Sequence, residues 1–276
     1  MPTEICDVGR LAQAIGDGAV VAVPTSDTGP AMAVTRDLVR RRPRGLHLVC
    51  VPTSGLQADV MVGAGLIRTI ETSAVTLGEL GTGPRFAAAV RDGSVSVKDA
   101  TCAAVHAALQ AGQKGIPFLP LRGLLGTDVL AHRPDWKVID NPFAADDAIV
   151  LVPAIRPDVA LFHAPLADRF GNVFIGRARE LLTMAHAAHS TLVSVERITE
   201  DSLLEDPRYA PAVIPALYVT RVAHAPRGAW PLRCGAEYVA DHAALSRYAA
   251  AATSAEGFAE WLEEWVAQPA GVGAAA

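Results

Sequence analysis

SVSVKDATCAAVHAALQAGQKGIPF, residues 94–118, reads as a strand, a helix and the start of a second strand with no break. Valines alternate with polar residues up to Lys98, and Asp99 and Thr101 then stand as N-cap candidates. Alanines and one leucine carry the helix to Gly115, a residue suited to the left-handed turn that closes helices. Ile116 opens the next extended run. A helix joining two strands in this way implies a mainly parallel sheet with helices on its faces.

The pattern repeats outward. DVGRLAQAIGDGA (7–19) reads as a short helix, VVAVP (20–24) as a buried strand, and TSDTGPAMAV (25–34) as a loop feeding the next helix. GLHLVCVP (45–52) is a second strand, and ADVMVGAGLIRTIET (58–72) a third unit. FAAAVRDG (86–93) is a helix. Further strands are expected in WKVIDNP (136–142), DAIVLVPAI (147–155), DVALFHAP (158–165), NVFIG (172–176), TLVSVERI (191–198) and ALYVTRVAHAP (216–226), with a helix over RELLTMAHAAH (179–189). GAGL (63–66) and ADRFGN (167–172) read as turns. No linker or repeat divides the chain, so the expectation is one domain over 1–276 with a helical segment at about 241–268. Trp261 and Trp265, four apart, mark a core or interface face, and the tail PAGVGAAA (269–276) reads as frayed.

Composition narrows the partners. The chain is 51% hydrophobic and 19% charged, yet no apolar run is long enough to span a membrane, which suggests surface covered by another protein chain. Net charge is −5, and the one basic cluster, RDLVRRRPR (36–44), reads as a helix end complementing its dipole rather than a phosphate or nucleic-acid contact. Cys6, Cys50, Cys102 and Cys234 form no CxxC pair and read as reduced cytoplasmic thiols; the N-terminus shows no secretory pattern.

Ligands of open α/β sheets sit beyond the carboxyl ends of the strands, where TSDTGPAMA (25–33) and PLRGLLGTD (120–128) are expected. The first offers Thr25, Ser26, Thr28 and Gly29 to a phosphate or acyl carbonyl. In the second, Gly123, Gly126 and Thr127 bring backbone close to a ligand, and Arg122 is either a permanent cation for a carboxylate or a loop pin paired with an acid such as Asp128. Cys102 opens a helix with His106 one turn on, although a small buried residue is the default reading. HAAH (186–189) lacks an acidic third ligand, so no metal site is expected. Glu71 and Glu79 lie near a strand end and read as structural or solvent-facing. No complete catalytic set emerges.

These segments in order resemble the alpha (A) subunit of the class I CoA-transferases. The likeness rests on 20–34, on GAGLIRTIETSAVTLGELG (63–81), on DATCAAVHAALQAGQKGIPFLPLRGLLGTD (99–128), on IVLVPAIRPDVALFHAPLADRFGNVFIG (149–176) and on TLVSVERI. It implies the α/β fold shared with ribose-5-phosphate isomerase, and no resident cofactor, coenzyme A thioesters being substrates. It also implies a heterodimer or heterotetramer with a beta subunit that supplies the nucleophilic glutamate, leaving no catalytic residue in this chain beyond weak candidates Asp99 and Glu79. Arg122 would then bind an acyl or acceptor carboxylate in a cleft shared with beta, with Thr101 and Cys102 nearby. A sister group that hydrolyses steroid-ring-derived acyl-CoA carries a glutamate where this chain reads KDATCAA (98–104), which argues against hydrolysis while Asp99 keeps it open. A non-catalytic ligand-binding module is the remaining alternative.

Overall fold

Apolar strand runs separated by helices condense into one large sheet in the computed structural model, which describes residues 2–268. The chain begins β1 (Glu4–Cys6), α1 (Val8–Gln13), β2 (Val20–Pro24), α2 (Met32–Arg41), β3 (Leu46–Val51), α3 (Leu56–Gly63) and β4 (Ile67–Thr72). It continues α4 (Pro84–Asp92), β5 (Ser96–Asp99), α5 (Cys102–Lys114), β6 (Phe118–Leu121), β7 (Lys137–Asp140), β8 (Ala148–Pro153) and β9 (Val159–Asp168). β10 (Val173–Phe174), α6 (Arg179–Ala187), β11 (Ser190–Thr199), β12 (Val213–Ile214), β13 (Arg221–His224), α7 (His242–Ala251) and α8 (Ala255–Ala267) complete it.

The main sheet runs β1-β13-β11-β9-β2-β3-β4-β5, with every neighbouring pair parallel. β10 and β12 add a short antiparallel extension beyond β9. Helices cover both faces, so strands bury side chains of both parities. In β3, Leu46, Leu48 and Cys50 enter one core with α1, α2 and α3, while Val49 and Val51 enter the other with α5 and α6. Thr101 caps α5 by accepting from Ala104 N at 3.2 Å, and Gly115 closes it at φ 68°.

PLRGLLGTD departs from expectation. β6 does not extend the parallel sheet: it pairs antiparallel with β8, as does β7, in a separate three-stranded sheet ordered β6-β8-β7. Pro117 and Pro120 explain this, because proline gives no ladder donor and suits an edge strand. ALYVTRVAHAP is also shorter as a strand than expected; Ala216–Tyr218 is a 3-10 turn and pairing starts at Arg221.

The C-terminal segment is helical, in two pieces capped by Asp241 and Ser254. Trp261 and Trp265 stack at 5.3 Å, and Trp265 lies in the core with Arg36 beneath its ring. Tyr248 of α7 donates to buried Asp59 at 2.5 Å, and Asp59 accepts from Phe86 N at the start of α4. The basic cluster therefore serves packing and helix ends, with Arg41 donating to Ala12 O. GAGL closes α3, and in ADRFGN the Asp168 carboxylate accepts from Phe170 N and Asn172 N. The tail 269–276 lies outside the described residues.

Arg133 fastens the small sheet's module to the large sheet. Its guanidinium, 3% exposed, donates to Glu71 at 2.7 Å, to Asp135 at 2.9 Å and to the Asp99 carbonyl at 3.0 Å, and stacks on Trp136. Burial alone would raise the Glu71 pKa, but the His47 ring 3.6 Å away and the charge of Arg133 outweigh it, and the net direction is down. The unfolded chain therefore takes up this proton first. The stabilisation is complete above about pH 4.5, the ordinary glutamate value, and is lost as pH falls through the lower folded value. Glu71→Gln should cost on the order of 2 kcal/mol near neutrality, below the roughly 3–5 kcal/mol of a stranded buried charge because Asp135 remains. Denaturant titrations from pH 7 to pH 3 should also show a flatter acid limb for the variant; an identical limb would refute the Glu71 assignment.

Candidate active site

β9 and β11 place a polar group inside an apolar sheet. Their register sets His163 opposite Ser194, and period two puts Glu196 on the same face one pleat further on. The imidazole spans the two: Nδ1 lies 2.8 Å from Ser194 Oγ and Nε2 2.7 Å from Glu196 Oε1. A carboxylate only accepts, so Nε2 carries a proton, and in the neutral ring Nδ1 accepts from the Ser194 hydroxyl. Glu196 also accepts from Tyr238 OH at 2.7 Å, from Arg227 N at 2.7 Å and from Gly228 N at 3.1 Å. Burial would raise its pKa, yet these donors, His163 foremost, hold it below the usual value. Ser194 is fully buried, which excludes it as a nucleophile reached by substrate.

The Thr25–Gly29 loop docks on this group. His163 N donates to Gly29 O at 2.7 Å, and the Thr25 and Thr28 hydroxyls bond each other at 2.9 Å. Gly29 has φ 97°, and a Cβ there would stand 2.0 Å from the His163 carbonyl oxygen. Among the described residues, the N–H groups of Ser26, Asp27 and Gly29 meet no acceptor. Ser26 packs against Gly55 at the start of α3, where a Cβ would come 2.2 Å from its hydroxyl.

A cleft of about 740 Å³ opens beside this loop. Thr28, Gly29, His163 and Cys234 line it, together with Arg177 and Arg233. Donor atoms of His163, Glu196 and Cys234 fall within 4.8 Å of one another, a spacing a metal could use. Both His163 nitrogens are already engaged, however, and burial pushes the Cys234 thiol up to about 12, far from the thiolate a metal needs. The group is better described as a hydrogen-bonded support behind the cleft.

The other residues singled out from sequence lie elsewhere. Arg122 lines a separate apolar groove on the small sheet and grips Asp147 through two bonds of 2.7 and 2.5 Å, not Asp128. That grip holds the Asp147 carboxyl down at about 2. Gly126 makes a left-handed turn at φ 74°, Gly123 needs no such freedom, and the Thr127 hydroxyl bonds the Leu124 carbonyl. Cys102 is exposed at the start of α5, 3.3 Å from Ser73 Oγ rather than engaged with His106. Asp99 and Glu79 are exposed, and Glu71 is the buried partner of Arg133. His186 stacks on Tyr218 and bonds Gln113. Sequence reasoning missed His163, Ser194 and Glu196. The available signal was His163 inside the apolar run of DVALFHAP and the alternation of Ser194 and Glu196 with valines in TLVSVERI.

A parallel α/β sheet carrying a small-molecule cleft over the ends of its central strands defines a ligand-processing domain. Residues 8–225 match the Coenzyme A transferase family, and the chain belongs to that family. It is 30% identical over 256 residues to the alpha-type (A) component of 3-oxoadipate CoA-transferase from Pseudomonas knackmussii, covering 91% of this chain and 89% of the relative. The crystal structure of glutaconate coenzyme A-transferase from Acidaminococcus fermentans is similar with a TM-score of 0.87 and 25% identity, covering 96% of this chain and 89% of that one. The cholesterol ring-cleaving hydrolase IpdA subunit of Rhodococcus jostii is 26% identical over 244 residues, covering 85% of this chain and 82% of the relative.

Replacing Gly29 with alanine should disrupt the loop, since the added carbon meets a backbone carbonyl that cannot rotate away. The cost is about 3 kcal/mol, a Tm fall of roughly 6–12 °C for a chain of this size. An unchanged Tm in calorimetry would sink this reading of the loop.

Proposed function

We propose that this chain is the alpha (A) subunit of a two-component cytoplasmic CoA-transferase that moves CoA between an acyl-CoA and a dicarboxylic acid. The single observation that carries the division of labour is the state of the glutamates at the cleft. Glu196 is saturated by four donors, and Glu237, on the cleft wall, is held by Arg197 at 2.8 Å. Neither glutamate is free to attack a thioester, which supports a nucleophile supplied by a partner subunit.

In that reaction a carboxylate of the partner attacks the acyl carbonyl, and the tetrahedral adduct expels CoA as thiolate, leaving an acyl–enzyme anhydride. The thiolate then attacks the enzyme's own carbonyl carbon, releasing the first acid and leaving an enzyme–CoA thioester. The acceptor carboxylate repeats the sequence in reverse. This chain's part is the Thr25–Gly29 loop, whose unpaired N–H groups can receive the negative charge that develops on the carbonyl oxygen. Support for a dicarboxylic substrate comes from the two transferases above, since 3-oxoadipate and glutaconate are both dicarboxylic acids. Support for a partner comes from Phe143, Leu217 and Val239, 95%, 84% and 83% exposed. The four free cysteines fit a reducing compartment, and no described helix is long and apolar enough to cross a membrane.

Co-expressed with its beta-type partner and incubated with acyl-CoA, the complex should show the mass of a CoA adduct on the partner and none on this chain. Hydroxylamine should remove the adduct. Turnover without an acceptor acid and without an adduct would replace transfer by hydrolysis and direct mutagenesis to Asp99.

A further inference from the structure

The cleft beside the Thr25–Gly29 loop has apolar walls and two cations. Pro165, Phe174, Ile175 and Leu181 supply hydrocarbon surface, and Arg177 and Arg233 stand among them. Arg177 is exposed, between Gly176 and the start of α6, and its guanidinium has no hydrogen-bond or ion-pair partner among the described residues. Arg233 donates only to the Gly235 carbonyl, at 3.1 Å. The nearby acid that could neutralise either, Glu237, is paired with Arg197 at 2.8 Å. Asp27, on the wall formed by the loop, is the one other carboxylate lining the cleft. The unengaged side chains thus leave an excess of positive charge facing a cavity with a methylene-compatible lining.

Arg122 makes the contrast. Its guanidinium is committed to Asp147 and lines another groove, so among the arginines lining these two cavities Arg177 and Arg233 are the ones with vacant directional donors. A short acyl chain lying along the apolar wall, with its reacting carbonyl at the Thr25–Gly29 N–H groups, would present a terminal anion to them.

We propose that Arg177 and Arg233 form the subsite for the second carboxylate of the acyl group and of the acceptor acid, and so select dicarboxylic over monocarboxylic substrates. This rests on the transferase reading for its chemistry, while both arginines belong to this chain. A monocarboxylic chain of the same length would bury its methyl end against unpaired guanidinium groups, which is unfavourable on both counts. The phosphates of CoA offer the same anionic oxygens, and the test separates the two sources.

The complex with the partner subunit is assayed with glutarate and with pentanoate as acceptors, for the wild type, Arg177→Met, Arg233→Met and the double variant. Both positions are exposed, so the fold should survive. With acetyl-CoA, which carries no second carboxylate, as the donor, the expected result is a rise of about 100-fold or more in KM for glutarate in the double variant, with KM for pentanoate and for acetyl-CoA unchanged and partial recovery in Arg177→Lys. An equal loss for both acids with weaker CoA binding would assign the arginines to a CoA phosphate and overturn the proposal, as would no change at all. Calorimetric titration of glutarate and pentanoate into the same complexes reads the subsite without turnover. If the wild type transfers no CoA, the transferase reading fails; a glutarate preference abolished by the substitutions would still establish the subsite, and no preference would end it.

Discussion

The peptide of His163 and the missing side chain of Gly29 occupy the same space, and the site depends on that contact. The β2 strand stops at Pro24, but β9 runs on to Asp168, so the next residues of the chain must lie against exposed strand backbone. Gly29 accepts the His163 N–H that β2 would otherwise have engaged, while the His163 carbonyl fills the volume of a Cβ. A loop held by backbone on both counts keeps its shape without help from a ligand. Its unpaired N–H groups are therefore in place before substrate arrives.

Behind that contact the sheet carries a polar group at a depth where polarity is costly. Burying a histidine and a carboxylate is tolerable only when every donor and acceptor is matched. Glu196 meets four donors drawn from β9, from the 227–228 turn and from Tyr238, so one carboxylate ties three separate segments to the cleft wall. Gly228 is pressed onto the His163 ring, with a Cβ there falling 2.5 Å from Cε1, and its carbonyl accepts from Ala33 N in α2. The helix that follows the Thr25–Gly29 loop is thereby linked to the same group from the other side.

Much of this fold was legible because its periodicities are local. VVAVP is β2 to the residue, Thr101 caps α5, and Gly115 closes it, each a matter of one strand or one helix end. What stayed illegible was pairing. β6 has the composition of a buried strand, and only the donor-less Pro117 and Pro120 hint that it is an edge of another sheet. β1 is three residues long and is made a strand by β13, more than 200 positions away. The site divides the same way. Thr28 and Gly29 were visible as a turn-rich loop, whereas Arg122 drew attention from its glycine neighbours and proves to be engaged by Asp147, 25 residues on. His163 and Glu196 lie on two strands that sequence reading treated separately, and only the β9–β11 register joins them.

That division also bears on how one scaffold serves a transferase and a ring-cleaving hydrolase, both of which resemble this chain over most of its length. Sheet register and the support behind the cleft constrain the backbone, and fold alone does not choose the chemistry. The choice falls to groups standing on the strand-end loops, where a substitution leaves the sheet intact. At the start of α5 this chain presents Thr101 and Cys102: a threonine already used as a helix cap, and an exposed thiol beside Ser73. Neither residue offers a carboxylate base there. The acid at that edge, Asp99, has its carbonyl taken by Arg133 and its side chain in solvent, outside the cleft that Thr28 and His163 share. What the chain itself sets along that cleft is a backbone-held loop, an apolar wall and the side chains of Arg177 and Arg233.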